Sequence, residues 1–436
     1  MSNNNFNNRV FGLVIIKSIN SNFNADFTHQ PRTLPDGTIY ATDKALKYSV
    51  RHYIKSIYPE DKILYYKNFN QDIKPSTLDE TYKTFFGEFP SKKGNKIEVA
   101  PTEFFLFKYD GETITGVIPD KPKPKTIKEY FKSIPDESNK KSYEQDFTKL
   151  TKSIEKKKIE EFQKPITDTD EPFIFYFEKG KQTFTKIEGE FEELEEVAAE
   201  IDNLITGGLD RQKILANLLS CLDIRLFGAT YAGAVNLSVH GPVQITHGIN
   251  RYNQGNIYSE PIMSPFRNPG EKSTESTQTT LGSQSNLHEG HYVYHFSINP
   301  KNLNTLQQLS KGNSLMNDDI NKLKLGLTQG VTYYDSSRKA GSENELMLWI
   351  QLKDDEKKLL PSLIEMVKVV RLDGKVQIDL TEVSNVINRI NSVIDSIELH
   401  YLPEGSILKN APSNSQGYHL ITGEKIEIPD EQRFKR

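Results

Sequence analysis

Lys44, Lys47, Arg51 and Lys55, at spacings of three, four and four, are the residues of this chain whose type and spacing most suggest chemistry. On a helix they fall on one flank about a turn apart, where long cationic side chains can follow successive phosphates of a nucleic acid. A solvated helix face carries the same pattern, so the stripe alone leaves both readings open. Just before it, Asn20 to Thr33 is dense in Asn, Asp, His, Gln and Arg. Such side chains bond phosphate and sugar, but they also build local turns. Asp26, His29 and Asp36 in this loop could gather round a hard cation, which needs clustered oxygen ligands. Arg225, in Asp223-Ile-Arg-Leu-Phe-Gly228, suits either a buried pair with Asp223 or a grip on phosphate beside a glycine that admits close backbone approach. Gly330-Val-Thr-Tyr-Tyr-Asp-Ser-Ser-Arg338-Lys339 ends in small hydroxyls and paired cations, as a backbone-binding loop or a polar turn would. His288, His291 and His295 have spacings that suggest zinc, but no cysteine lies near, and on a strand only His291 and His295 share a face.

These residues need elements to position them. Val10 to Ile16 is a β-branched apolar run suited to a buried strand. Ile19 to Gly37 reads as a long loop, and Thr42 caps a helix from Asp43 to about Ile57 whose apolar face is Leu46, Val50, Tyr53, Ile54 and Ile57. Residues 58–208 are charge-rich and irregular, an insertion with a stiff linker at Lys121-Pro-Lys-Pro-Lys125. The core resumes with a helix through Ile214, Leu215, Leu218, Leu219 and Leu222 that ends before Asp223. Ala234 to Val239 and Val243 to Ile245 read as strands. Ile249 to Gly290, lying between two strands and nearly patternless, reads as a protruding arm. His291 to Ile298 and Leu346 to Ile350 are strands, Asp373-Gly374 centres a hairpin, and Val383 to Ile397 reads as a second amphipathic helix before a last strand near Glu398. The expected fold is α+β, a sheet with helices on one face.

Composition limits the choice of function. The net charge of −4 argues at first against nucleic acid. Eight acids and no base fall in Glu188 to Asp202, however, and without that run the chain carries +4. Arg9 to Ile57, with seven Lys/Arg against three Asp, is also +4. The lone cysteine, Cys221, excludes an internal disulfide and a cysteine-rich zinc site. The N-terminus lacks the pattern of a secretory signal, no apolar run is long enough to span a bilayer, and the expectation is a cytoplasmic protein. Neither a Walker loop, a dinucleotide fingerprint nor a serine nucleophile elbow is present, and the chain is not expected to be an enzyme.

Taken in order, five segments resemble the RAMP-type backbone subunit of type I CRISPR effector complexes (Cascade), of the I-B kind. They are Asn20-Ser-Asn-Phe-Asn24-Ala-Asp26, Pro31-Arg32 with Thr42-Asp-Lys44 through Arg51, Cys221 to Gly228, Gly241-Pro-Val-Gln244-Ile-Thr-His247-Gly248, and Ser336-Ser337-Arg338. The chain departs from the family's pattern where Ala25 replaces a glycine and Phe23 and Phe27 replace prolines; after Gly248 stands Ile-Asn-Arg251. The resemblance implies an RRM-like (ferredoxin-like) palm from residues 1–57 and 209–436, a fingers-like insertion at 58–208 and a thumb arm at 249–290. Copies of the chain would stack along a CRISPR guide RNA with the other Cascade subunits, presenting the guide for pairing with target DNA. The RNA-binding set it implies is Asn24, Arg32, Lys44, Lys47, Arg51, Arg225, Gln244, His247, Arg251, Ser337, Arg338 and Lys339. Met263 and Phe266 would wedge beside a flipped nucleotide, and no metal or cofactor is implied. Two alternatives stand beside it: a type III-like subunit cutting target RNA through Asp26, and a generic oligomeric RNA-binding scaffold.

Overall fold

The computed structural model describes residues 5–90, 209–263 and 280–435, together with five short strands between residues 104 and 187. Two units divide the chain, Met1–Gly87 with Leu215–Arg436, and Glu88–Ile214. In the second unit the strands Glu161–Gln163, Thr113–Val117, Phe104–Tyr109, Phe173–Glu178 and Thr183–Ile187 lie side by side in that order, all antiparallel. Residues 58–87, expected in the insertion, belong to the first unit. Ile63 is buried in its core, and the Leu64 and Tyr65 N–H groups bond to Asp223.

The first unit is built on a ten-stranded sheet. Its strands are β1 Val10–Ser21, β2 Tyr40–Ala41, β3 Val243–Ile245, β4 Gly248–Asn250, β5 Ile257–Met263, β6 Thr280–Ile298, β7 Ser342–Leu352, β8 Ile394–Tyr401, β9 Gln416–His419 and β10 Lys425–Ile426. The order is β2-β4-β6-β1-β7-β8-β9-β10, and β3 and β5 also pair with β6. Helix α1, Asp43–Ile57, lies between β1 and the strands that pair with β6. Helix α2 is Leu222–Phe227; α3, Asn317–Tyr333, connects β6 to β7. Strand β1 is central and buried almost throughout, as its apolar run from Val10 to Ile16 requires. Strand β6 has two tasks. Its C-terminal half, from Leu287, pairs with β1, and its N-terminal half pairs antiparallel with β5.

Alternation along the strands sends residues to two cores. Val14, Tyr294 and Trp349 meet Leu46 and Val50 of α1 and Leu327 of α3 on one face. Leu13, Val293 and Leu348 on the other meet a C-terminal layer. That layer holds a small sheet (Lys368–Leu372, Lys375–Asp379, Ser406–Lys409) and helix α4, Thr381–Arg389. The expectation of helices on one face is corrected here, because Val383 and Ile387 of α4 bury against the opposite face. The expected helix through Ile397 also ends early. Asn391 and Ser392 interrupt it, and beyond them Ile397, Leu399 and Tyr401 are buried at the period of two that a strand demands. Among the described residues no helix is long and apolar enough to cross a membrane.

Candidate functional site

The N-terminal end of α1 gathers several of the expected residues. Thr42 caps the helix, its hydroxyl accepting from Ala45 N at 3.3 Å. Asn24 Oδ1 accepts from both Thr42 N at 2.8 Å and Thr42 Oγ1 at 2.9 Å, which ties the Asn-rich loop to the cap. His247, exposed after β3, accepts from Asp43 N through Nδ1 at 3.3 Å and lies against the Tyr40 ring. Lys44 is exposed beside them, and Arg32 donates through Nε to Ala25 O at 3.1 Å. A helix N-terminus edged with cations attracts anions.

A second group adjoins the same loop. Arg338 Nη1 donates to His29 Nδ1 at 3.0 Å, and Asn22 N donates to Arg338 O at 2.8 Å. Exposed Ser337 precedes it. Lys339 Nζ rests 5.2 Å from the Phe23 ring centre and 4.8 Å from that of Tyr334, and burial pushes its ammonium down to about 8. Asp26 Oδ1 accepts from Thr28 Oγ1, Thr28 N and Gln30 N at 2.8, 2.8 and 3.0 Å. The Thr28 hydroxyl bond, followed by the Gln30 N–H, holds this carboxyl below its ordinary range. Asp26 thus builds the turn whose tip is Phe27, 97% exposed.

Half of the expected basic stripe is tied into the fold. Lys47 donates to Asp43 at 3.0 Å, and Arg51 Nε donates to Asp223 at 3.1 Å with its guanidinium over the Phe227 ring. Both are mostly buried, leaving Lys44 as the exposed cation of the four; Lys55 is half-buried against Tyr66. Arg225 is corrected outright as a phosphate ligand. It is 4% exposed, forks onto Asp319 at 2.9 and 2.7 Å, and donates through Nη1 to the Leu219 and Ser220 carbonyls at the end of the preceding helix. The expected turn is therefore itself the short helix α2, closed by Gly228 at φ +71°. A side chain at Gly228 would strike the backbone of Val239 and Gly241, and one at Gly241 the backbone of Phe227 and Gly228, which explains glycine at both.

Two further expected contacts fall elsewhere. Arg251 reaches the opposite face of the sheet, bonding Glu365 at 2.8 Å and Val367 O at 3.2 Å. Gln244 is exposed on β3 with its amide on Gly241 O. Met263 ends β5 with its side chain outside the described residues, as is the whole of Phe266. His291 is buried on that opposite face. Nδ1 meets Glu345 at 2.5 Å and Nε2 meets Glu289 at 3.2 Å, and Glu289 is also paired with Arg371. Burial alone would lower the imidazole's pKa, but the Glu345 charge and the two carboxylate bonds outweigh it and raise it to about 9. Among the described residues no group of three or more His, Cys, Asp or Glu could hold a metal ion.

The family model described as CRISPR-associated protein Cas7 matches residues 8–385. The chain belongs to this family. No curated protein matches it. Among solved structures, a chain of a "CRISPR RNA-guided surveillance complex, pre-nicking" is similar at 14% identity and TM-score 0.43, covering 94% of this chain and 96% of that one. A chain of a "CRISPR RNA-guided surveillance complex" is similar at 14% identity and TM-score 0.27, over 47% of this chain and 79% of that one.

This Cas7-family chain also carries a cluster that sequence reading missed. Tyr48 and His52, one turn apart on α1, meet Tyr66 and the end of α3, at Tyr333 and the Tyr334 that follows it. The Tyr48 and Tyr66 rings stack at 5.6 Å and 14°, while Tyr334 stands edge-on to Tyr48 at 5.4 Å and to His52 at 4.7 Å. Tyr333 packs on Tyr53 at 5.4 Å and remains 43% exposed. The signal was available: Tyr48 and His52 continue the helical spacing from Lys44. Tyr66 and Tyr334, however, come from segments whose position only the folded chain supplies.

Proposed function

We propose that this chain is a guide-RNA-binding backbone subunit of a type I, I-B-like CRISPR surveillance complex. Copies of it oligomerise along the CRISPR RNA and hold its backbone, leaving its bases to pair with target DNA. The observation that carries this reading is the convergence of the loop at residues 22–32, the N-terminal end of α1, His247 and the loop at 336–339 in a Cas7-family chain. The contacts assigned to RNA are Asn24, Arg32, Lys44, His247, Ser337, Arg338 and Lys339, with Lys47 and Arg51 behind them. Order β7-β1-β6-β4, with α1 after β1 and α3 between β6 and β7, supports an RRM-like palm. The β5–β6 hairpin would be the thumb and Glu88–Ile214 the fingers. A binding rather than a cleaving role is supported by Asp26, whose Oδ1 is engaged in three bonds of its own turn.

The test is purification from the native host with sequencing of the bound RNA. Repeat-spacer RNAs of uniform length, with other effector subunits co-purifying, are expected. Mixed cellular RNA, or none, would defeat the proposal.

A further inference from the structure

An aromatic cluster inside a core is closed off by apolar neighbours, but the one on α1 is edged with cations and solvent. Lys44 is exposed one turn before Tyr48, Lys55 Nζ lies 5.5 Å from the Tyr66 ring centre, and Lys339 Nζ lies 4.8 Å from that of Tyr334. The cluster also adjoins the candidate site directly, since Lys339 touches Phe23 of the Asn-rich loop on its other side. Two interactions that single-stranded nucleic acid needs, a π-face for a base and cations for the adjoining phosphate, are thus side by side. We propose that Tyr48, Tyr333 and Tyr334 form a stacking platform for one unstacked nucleobase of the bound RNA, with Lys44 and Lys339 facing the phosphate next to it. This assignment rests on the RNA-binding reading and adds to it a base contact that is independent of sequence, because every base offers a π-face.

The test compares the full chain with a Tyr333→Ala/Tyr334→Ala variant and a Tyr333→Phe/Tyr334→Phe variant. Each binds a single-stranded uridine oligonucleotide and the same oligonucleotide carrying abasic sites, across a salt series. The alanine pair is expected to lose about tenfold in affinity for the intact RNA with an unchanged salt slope. The phenylalanine pair should keep wild-type affinity, and abasic RNA should not tell the alanine pair from wild type. Equal affinity of the alanine pair and wild type for intact RNA would overturn the platform. So would an equal loss on intact and abasic RNA, which would mark general damage rather than a lost base contact. Unchanged RNA binding with weakened self-association would assign the rings to a protein interface instead. Wild-type protein that binds neither RNA would instead sink the RNA-binding reading, and the platform with it.

Discussion

Two groups of charged residues lie within a few turns of each other on α1 and its neighbours, and they are held in opposite ways. In the junction of α1, α2 and α3, Asp223 accepts from Leu64 N, Tyr65 N and Arg51, and Arg225 makes four hydrogen bonds to Asp319 and two carbonyls. Around the helix N-terminus, Lys44 is exposed, while Arg32 and Arg338 are half-buried and held by one neighbour each through the side chain. The first arrangement fixes geometry and leaves little donor capacity for a ligand. The second leaves charge available to one. Charges that look alike in sequence thus divide into a lock and a contact surface.

Breaking the lock should give the largest effect. Arg225→Ala strands the buried Asp319 carboxylate and is expected to destabilise the first unit by about 3–5 kcal/mol in chemical unfolding. A loss under 1 kcal/mol would show that the pair is not the lock described here. The opposite face offers a second buried lock with a pH signature. His291 is raised to about 9, so its stabilisation is complete below the unfolded value near 6.5 and disappears as pH rises through 9. Unfolding followed from pH 6 to pH 10 should lose on the order of 3 kcal/mol over that range, and His291→Gln should flatten this dependence.

The contact surface should behave differently. Lys44→Ala with Arg338→Ala is expected to change unfolding by no more than about 0.5 kcal/mol. The same pair should lower the slope of log affinity against log salt by roughly 1.4, two phosphate contacts on a single strand. An unchanged slope would make both residues ordinary surface charges. The smallest effect concerns Lys339. With its ammonium near 8, RNA binding should weaken by about a few-fold between pH 7 and pH 9, and Lys339→Arg, which stays charged, should remove that loss.

Much of the scaffold was legible because its periodicities are local. The α1 cap, the buried run of β1, the β7 strand and the Asp373-Gly374 turn (φ +48° and +80°) all follow from neighbours in sequence. Val383 to Ile397 was misread because an apolar helical period and a strand period overlap there, and only Asn391-Ser392 separates them. The site was legible in part. Asn24, Lys44, His247 and Arg338 announce themselves as polar or cationic, but whether a charge is free depends on partners far away in sequence. Arg51 and Arg225 find theirs 172 and 94 residues distant, and Arg251 finds Glu365 across the sheet at 114. The Tyr48, Tyr66 and Tyr334 cluster stayed hidden for the same reason.

The central claim is that RNA lies along the loops at the N-terminal end of α1, and photocrosslinking of bound guide-length RNA followed by peptide mapping tests it most directly. Crosslinks concentrated in residues 22–32, 40–48 and 333–339 are the predicted result. Crosslinks concentrated in the C-terminal layer, at residues 365–379 or 404–428, would contradict it.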